Sequence, residues 1–265
     1  MRNGYLTYGL IWAAICWPLD AYAAPAFLPD CAGKVEIANA RVVRVEQNGA
    51  LILSDGRAML LEGVRLALDG DLRERALSAL RDMTKSQPVT FTATPPKEDR
   101  YDRVRAQAFG PARDARQSNQ ASWLQIALLE QGLARVAISP DRNECAPDLY
   151  EAEARGREKR SGIWAMTAYQ AKAPETVKNS AGSFQLVDGW VTNVGQADGR
   201  VFIDFGSNGR QLFSAVIQRQ DRRAFRDFDF DELPAHHIRI RGIVQDYHGR
   251  PEILLSNPAQ IEVLN

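Results

Sequence analysis

Three stretches of sequence between residues 98 and 164 decide the fold. They read EDRYDRVRAQAF (98–109), WLQIALLEQGLARV (123–136) and YEAEARGREKRSGIW (150–164). The first predicts a turn followed by a strand, and the second predicts an amphipathic helix that stops at Gly132 before a short strand. The third predicts a helix rich in Glu, Ala and Arg, which closes on Gly-Ile-Trp.

The sequence before these stretches has the patterns of a small barrel. Alternation predicts a strand over 34–46, and an Asp-Gly turn divides two further strands over 51–64. Helical spacing over 70–85 places Leu77, Leu80 and Met83 on one face. A β-branched strand follows over 88–94. The predicted order is three strands, a helix, two strands and two helices.

In that order, the three stretches resemble the thermonuclease (staphylococcal-nuclease-like) family. The family fold is a five-stranded OB barrel with three helices, and its members cut nucleic acid with a calcium ion held by carboxylates. The resemblance therefore implies a thermonuclease-like OB domain over residues 31–167.

The second half of the chain predicts another barrel. Residues 168–182 have no sustained apolar period and contain Pro, Ser and Gly, which is typical of a linker. Over 183–265, turn signals separate five strands, with one helix after the third and a last extended piece, QIEVL. This is OB-barrel order. The predicted fold is mainly β with α, in two OB-like five-stranded barrels.

The first 24 residues predict a cleavable signal peptide. Arg2 precedes a short apolar run, and Ala21–Ala23 supplies the small-x-small pattern of a cleavage site. We therefore expect a periplasmic or secreted protein without a transmembrane span in the mature chain. Cleavage would leave Cys31 and Cys145, which we expect to form a disulfide in an oxidising compartment.

Composition and residue types exclude several functions. The formal net charge is zero, so no global basic field indicates a nucleic-acid binder. The three histidines, His236, His237 and His248, all lie in the second half. The first domain therefore has no Ser/His/Asp or Cys/His catalytic arrangement, and single glycines at turns form no phosphate-binding loop.

The carboxylates that the resemblance implies are largely missing. Aligned without gaps, the family's first ligand turn falls on residues 47–50, which read Gln-Asn-Gly-Ala. In the second cluster, Leu60 replaces the phosphate arginine, Arg65 replaces a ligand Asp and Leu68 replaces the Glu that positions water. Two alternatives stay open: a small shift brings in Glu46, and a gapped alignment at Val64–Ala67 brings in Asp69 or Asp71.

The third family element is retained. Asp99, Tyr101 and Arg103 match the family's Asp-x-Tyr-Gly-Arg, which makes Tyr101 and Arg103 candidate binding residues and Arg103 the candidate catalytic cation. Asp102 stands where Gly is usual. The other interpretation is that Arg103 only starts a strand and pairs with a surface acid.

One guanidinium without a metal ion or a base cannot activate water, so the sequence predicts a pseudonuclease that needs no cofactor. It would bind nucleic acid or an envelope or protein partner. The alternative is an active calcium-dependent phosphodiesterase with displaced carboxylates. Candidates for strand binding in the second domain are aromatic and basic residues: Trp190, Phe202, Phe205, Phe213, Tyr247, Arg239, Arg241 and Arg250. Nine basic and eleven acidic residues over 183–265 disfavour strong nucleic-acid binding.

Overall fold

A computed structural model describes residues 27–68, 70–111, 121–207 and 210–264. The predicted signal peptide and Asp69 lie outside this range. The described chain is mainly β with three α-helices, and its second half is a closed five-stranded barrel. The predicted fold class is confirmed.

The first barrel contains one long strand that is broken in two. The predicted strand over 34–46 is β1 (Lys34–Ala40) and β2 (Val42–Val45), and Arg41 alone separates them. The sheet order is β1-β6-β7-β4-β3-β2, so β1 and β2, the two halves of the broken strand, are the strands at the two ends of the sheet. Because one residue joins β1 to β2, the two ends of the sheet lie close together. The remaining strands of this domain are β3 (Leu51–Leu53), β4 (Ala58–Leu61), β5 (Val64–Leu66), β6 (Val89–Ala93), β7 (Val104–Gly110), β8 (Ser122–Trp123) and β9 (Ala134–Val136).

Three helices cover this barrel: α1 (Gly70–Thr84), α2 (Leu124–Glu130) and α3 (Ala146–Glu158). As the apolar spacing predicts, α1 buries Leu77 and Leu80, and Met83 packs at the margin of the core. Helices α2 and α3 approach closely because Gly156 has no side chain. A Cβ atom there would lie 2.4 Å from the Leu129 carbonyl oxygen. Glycine in the Glu/Ala/Arg helix is therefore a packing requirement.

The second barrel has strand order β10-β11-β12-β14-β13, and pairing of β10 with β13 closes it. Its strands are β10 (Phe184–Ala197), β11 (Arg200–Ser207), β12 (Arg210–Ile217), β13 (His237–Tyr247), β14 (Arg250–Leu255) and β15 (Ile261–Val263). The last extended piece is the added strand β15. The predicted helix after β12 is only a four-residue 3-10 helix, Arg222–Phe225, because the segment has little apolar surface at helical spacing.

The segment over 168–182 packs against both domains. Tyr169 lies at the margin of the first core, and its hydroxyl accepts a hydrogen bond from the Leu68 backbone N–H at 3.3 Å. Val177 is fully buried in the second core. Residues of this segment thus contribute apolar contacts on each side of the predicted boundary, whose limits stay a prediction.

A buried ion cluster joins the two domains. Arg241 of β13 is 1% exposed and donates to Glu153 of α3 at 3.0 Å and to Glu262 of β15 at 2.7 Å. Its guanidinium also lies 4.2 Å from the centre of the Tyr150 ring. Burial opposes the charge, but Glu153 and the other acidic neighbours hold the pKa of Arg241 above its ordinary value. Arg157 supplies a second partner to Glu153, at 2.9 Å.

The predicted disulfide is present. Cys31 and Cys145 are bonded, with Cα atoms 5.1 Å apart and a sequence separation of 114 residues. The bond ties the start of the described chain to the residue before α3. It therefore encloses the whole first barrel in one covalent loop.

Removing Arg241 should destabilise the whole protein. Arg241→Ala leaves the fully buried carboxylate of Glu153 with Arg157 and the Val136 backbone N–H but without its buried arginine, so we expect a loss of about 3 kcal/mol in the free energy of unfolding. Urea denaturation followed by tryptophan fluorescence measures it. Arg57→Ala removes an exposed ion pair and is the matched control, whose unfolding midpoint should stay near that of the wild type. Equal midpoints for both variants would show that the buried cluster adds no stability.

Removing the disulfide should also reduce stability. Replacing Cys31 and Cys145 together by Ser opens a loop of more than a hundred residues, which in the chain-entropy model lowers the free energy of unfolding by about 4–5 kcal/mol. Thermal denaturation of this variant, beside the wild type with and without a reductant, checks the prediction. A reductant should lower the melting temperature of the wild type and leave that of the variant unchanged.

Candidate functional site

The retained turn at 99–103 is organised by one carboxylate. Asp99 accepts hydrogen bonds from the backbone N–H groups of Tyr101 (2.9 Å) and Arg103 (3.0 Å). Its Oδ2 atom also accepts two hydrogen bonds from the Arg103 guanidinium, from Nε at 2.9 Å and from Nη2 at 2.6 Å. Asp102 has φ of 56°, so an aspartate adopts the left-handed conformation that glycine usually takes.

The pairing of Asp99 with Arg103 determines which groups of the turn are accessible to a ligand. The Arg103 side chain is 25% exposed and already neutralised by Asp99. Tyr101 is 61% exposed, and the guanidinium carbons of Arg100 and Arg103 lie 4.8 and 5.0 Å from its ring centre. The turn thus presents an aromatic ring between two arginines. Burial opposes ionisation of Asp99, but the hydrogen bonds from Arg103 and Tyr101 outweigh it and lower its pKa.

The first ligand segment forms a tight turn with no carboxylate pointing inward. Gly49 has φ of 87°, and a Cβ atom there would lie 2.7 Å from Leu66 Cδ1. The Asn48 side chain accepts a hydrogen bond from the Ala50 backbone N–H at 2.9 Å. Glu46, the displaced-ligand candidate, pairs with exposed Arg44 at 3.1 Å. An apolar contact therefore closes the turn against β5.

An arginine links this turn to the second ligand segment. Arg73 of α1 donates one hydrogen bond to the Ala67 carbonyl at 3.3 Å and another to the Gln47 carbonyl. Ala67 lies within the second family cluster in both alignments of the sequence, and Gln47 lies in the first. A positive side chain thus joins the two segments from which the family draws its metal ligands. We call this contact the Arg73 clamp.

The other predicted positions in this region are dispersed. Arg65 is exposed and faces Arg135 across the β5–β9 pair. Arg135 is buried and stacks on Phe184, and burial, with a smaller contribution from Arg65, lowers its pKa to about 10. Leu68 is 59% exposed. Asp71 is exposed in the first turn of α1.

Within the described ranges, no three His, Cys, Asp or Glu side chains form a group that could hold a metal ion. Calcium requires six to eight oxygen ligands. The described residues of the two ligand segments therefore do not fit that ion. Asp69 lies outside the described residues, and its role as a ligand stays a prediction, as do those of Asp71 and Glu46.

The structure separates the candidate strand-binding residues of the second domain. Phe205 and Phe213 are core residues, and Arg241 is buried in the ion cluster between the domains. Arg239 is paired with Asp188 at 2.7 and 2.6 Å. The aromatics at the surface are Phe202, Tyr247, and Trp190, which stacks on His237 with ring centres 5.2 Å apart. Half of the eight candidates are therefore engaged inside the protein: Phe205 and Phe213 lie in the core, and Arg239 and Arg241 form ion pairs.

Sequence reasoning missed the Arg73 clamp and the partner of Arg241. Arg73 binds backbone carbonyls, and no residue type in the sequence marks such partners. Glu153 could have been noticed as an acid on the apolar side of a short helix, next to Ala152 and Gly156. Its arginine partner lies 88 residues away, beyond any local pattern.

The Asp99–Arg103 pair should stabilise the protein only above acidic pH. The pKa of Asp99 is lowered from 3.8 in the folded chain, so its stabilisation is complete above that value and is lost as the pH falls through the folded pKa. At neutral pH, Asp99→Asn should cost roughly 2 kcal/mol, as for hydrogen bonds to a charged group. Asp102→Asn is the control, since Asn tolerates the same backbone conformation.

Unfolding free energies from urea titrations at pH 7 and at pH 3 test this prediction. The difference between wild type and Asp99→Asn should shrink at the lower pH, whereas Asp102→Asn should match the wild type at both. A difference independent of pH would contradict the assigned ion pair.

Comparison with known proteins shows a family similarity in the first half of the chain. A family model described as Staphylococcal nuclease homologue matches residues 72–166, from the first turns of α1 to the residues after α3. The match includes the 99–103 turn and begins after both ligand segments. No curated protein matches the chain. The chain is thus similar to staphylococcal nuclease homologues over residues 72–166, and the domain that contains this match is an OB-type barrel with three helices.

Proposed function

We propose that this protein is an exported, catalytically degenerate member of the nuclease family that acts as a binding module. The Arg73 clamp is the observation that carries this proposal. It joins the two segments that would hold calcium, and Gly49 closes tightly on Leu66 beside it. The Arg73 guanidinium would then link the two segments in place of a metal ion.

The chemistry of phosphodiester hydrolysis supports the same proposal. Hydrolysis of this type needs oxygen ligands for an ion, a group that activates water and cations that face the phosphate. Among the described residues, only Arg103 matches one of these roles, that of a cation facing the phosphate. Its guanidinium is already paired with Asp99 at 2.6 Å. Loss of a single well-placed electrostatic group commonly reduces kcat by about 10²–10³. Several vacant roles together leave a scaffold suited to binding.

Charge favours a protein or envelope partner over a nucleic acid. The chain has no net charge, and the second domain has nine basic and eleven acidic residues. Two of the basic residues, Arg239 and Arg241, are used in internal pairs. Nucleic-acid affinity grows with the number of phosphates that Lys and Arg neutralise. The exposed Tyr101 turn would then recognise a partner mainly through its ring and its neighbouring arginines.

Export is supported by two independent features. The disulfide between Cys31 and Cys145 is typical of proteins that fold in an oxidising compartment. The first 24 residues have the charge, apolar run and cleavage pattern of a signal peptide. Among the described residues, no helix has the length and apolar character needed to cross a membrane. From the disulfide and the signal-peptide pattern, we propose that the mature protein lies in the periplasm or outside the cell.

The family match favours one alternative, an active calcium-dependent nuclease. That enzyme would use Asp71, Asp69 or Glu46 as displaced ligands, with Arg103 facing the phosphate. The retained turn at 99–103 lies inside the region that the family model matches, residues 72–166. The two functions differ in whether calcium binds and whether DNA is cut.

Calcium calorimetry and a cleavage assay separate the two functions. We expect no saturable calcium binding in the range of extracellular calcium modules, with Kd of about 10⁻⁴–10⁻³ M, and no cleavage of single-stranded DNA at millimolar calcium. Calcium-dependent cleavage abolished by Arg103→Ala would falsify the proposal. Asp71→Asn would then reduce that cleavage, and Asp82→Asn, which changes an exposed acid at the other end of α1, is its matched control.

A further inference from the structure

A half-enclosed cavity of about 220 Å³ lies in the second barrel, apart from the nuclease-like domain. Its floor is Val201 of β11 and Ile217 of β12, which face each other in register and are almost fully buried. Its walls are three aromatic rings, Phe225, Phe228 and Phe230. Their centres lie 5.0 to 6.2 Å apart. We call this space the phenylalanine pocket.

The pocket exists because the segment between β12 and β13 forms only a short helix. The 3-10 helix Arg222–Phe225 inserts one ring, that of Phe225, which is 3% exposed. Phe228 and Phe230 follow at alternate positions and are half-buried, whereas Asp227 and Asp229 beside them are exposed. The rings therefore cover this part of the barrel without filling it.

The charged side chains that line the pocket are both positive, whereas the exposed carboxylates of Asp227 and Asp229 lie beside it. Arg222 and Arg226 line it, and none of the described lining residues is a carboxylate. Arg222 donates to the neutral side chain of Gln196 at 3.3 Å. Arg226 pairs with Asp227 at 3.2 Å, but both side chains are largely exposed, at 70% and 89%. Such surface pairs contribute little, so both guanidinium groups can turn to an anion.

We propose that the phenylalanine pocket binds a small aromatic carboxylate. One or two fused rings would pack against the half-buried rings of Phe228 and Phe230, which contact each other, and the carboxylate would accept hydrogen bonds from Arg222 and Arg226. A closed apolar cavity of about 150 Å³ already holds benzene, so this larger space accommodates such a ring system. Arginine binds carboxylates in bidentate geometry, which fixes the orientation of the ligand. The proposal is independent of the function proposed for the first domain.

Titration of the full mature protein with 2-naphthoate tests the pocket. Calorimetry should show saturable binding, and 2-naphthylmethylammonium, a probe of similar shape and opposite charge, should bind at least about tenfold more weakly. The double variant Arg222→Gln, Arg226→Gln should weaken naphthoate binding about tenfold or more. The same double variant should leave the affinity for the neutral 2-naphthylmethanol unchanged.

Arg223→Gln is the matched control, because Arg223 lies beside these residues and does not line the pocket. It should bind naphthoate as the wild type does. Equal affinity for the two charged probes, or equal weakening by Arg223→Gln and by the double variant, would overturn the proposal. Absence of saturable naphthoate binding at millimolar concentration would overturn it as well.

Discussion

The ion pair between Arg241 and Glu153 is the constraint on which the two-domain structure depends. One partner belongs to the last helix of the first domain and the other to a barrel strand of the second, and both are almost completely excluded from water. Charges in such a place are tolerated only when each satisfies the other. The pair therefore contributes to how the domains meet, since displacement would separate two buried charges and leave each with only the partner of its own domain, Arg157 for Glu153 and Glu262 for Arg241.

Apolar and polar contacts surround this pair and extend the interface. The Tyr150 ring stacks on Arg241, and its hydroxyl donates to the carbonyl of Ala259. Asn257 caps the final 3-10 helix and donates to the carbonyl of Pro140 at 3.2 Å. Arg135 donates to the Phe184 carbonyl at 3.0 Å. The second barrel is thereby an integral part of the molecule, and it covers a face that the nuclease-like domain would otherwise expose.

The Arg73 clamp is the contact on which the proposal of a scaffold without a metal ion depends. A bound cation in such a fold draws two chain segments together through their oxygens. Here a guanidinium from α1 donates to carbonyl oxygens of the same two segments. Arginine is suited to this role because its planar group carries several donors in fixed directions. The core around Leu51, Met59 and Phe91 also includes Leu66 and Ala67 of the second segment, so apolar packing holds that segment in place together with Arg73.

Sequence reasoning succeeded where the physical signal is local. Helical spacing identified the buried face of α1, and turn residues divided the second half into five strands. It was less informative where one residue type can lie either at a binding surface or in the interior. Arg241 was a candidate for strand binding and is buried against Glu153. Phe205 and Phe213 were candidates whose alternation also allowed a core position, and they fill the core. The long strand over 34–46 was expected to be continuous, but closing the barrel breaks it at Arg41.

The sequence by itself determined the family resemblance, the two OB barrels and the pairing of Cys31 with Cys145, and it predicted the loss of the usual ligand residues. These depend on residue type, spacing and order, which are visible along the chain. Only the tertiary structure decided that Arg73 spans the two ligand segments, that Arg241 joins the domains and that three phenylalanines enclose a pocket. Each of these contacts lies between residues far apart in sequence, or between a side chain and a backbone carbonyl. Their energies come from burial and geometry, and no local pattern encodes either.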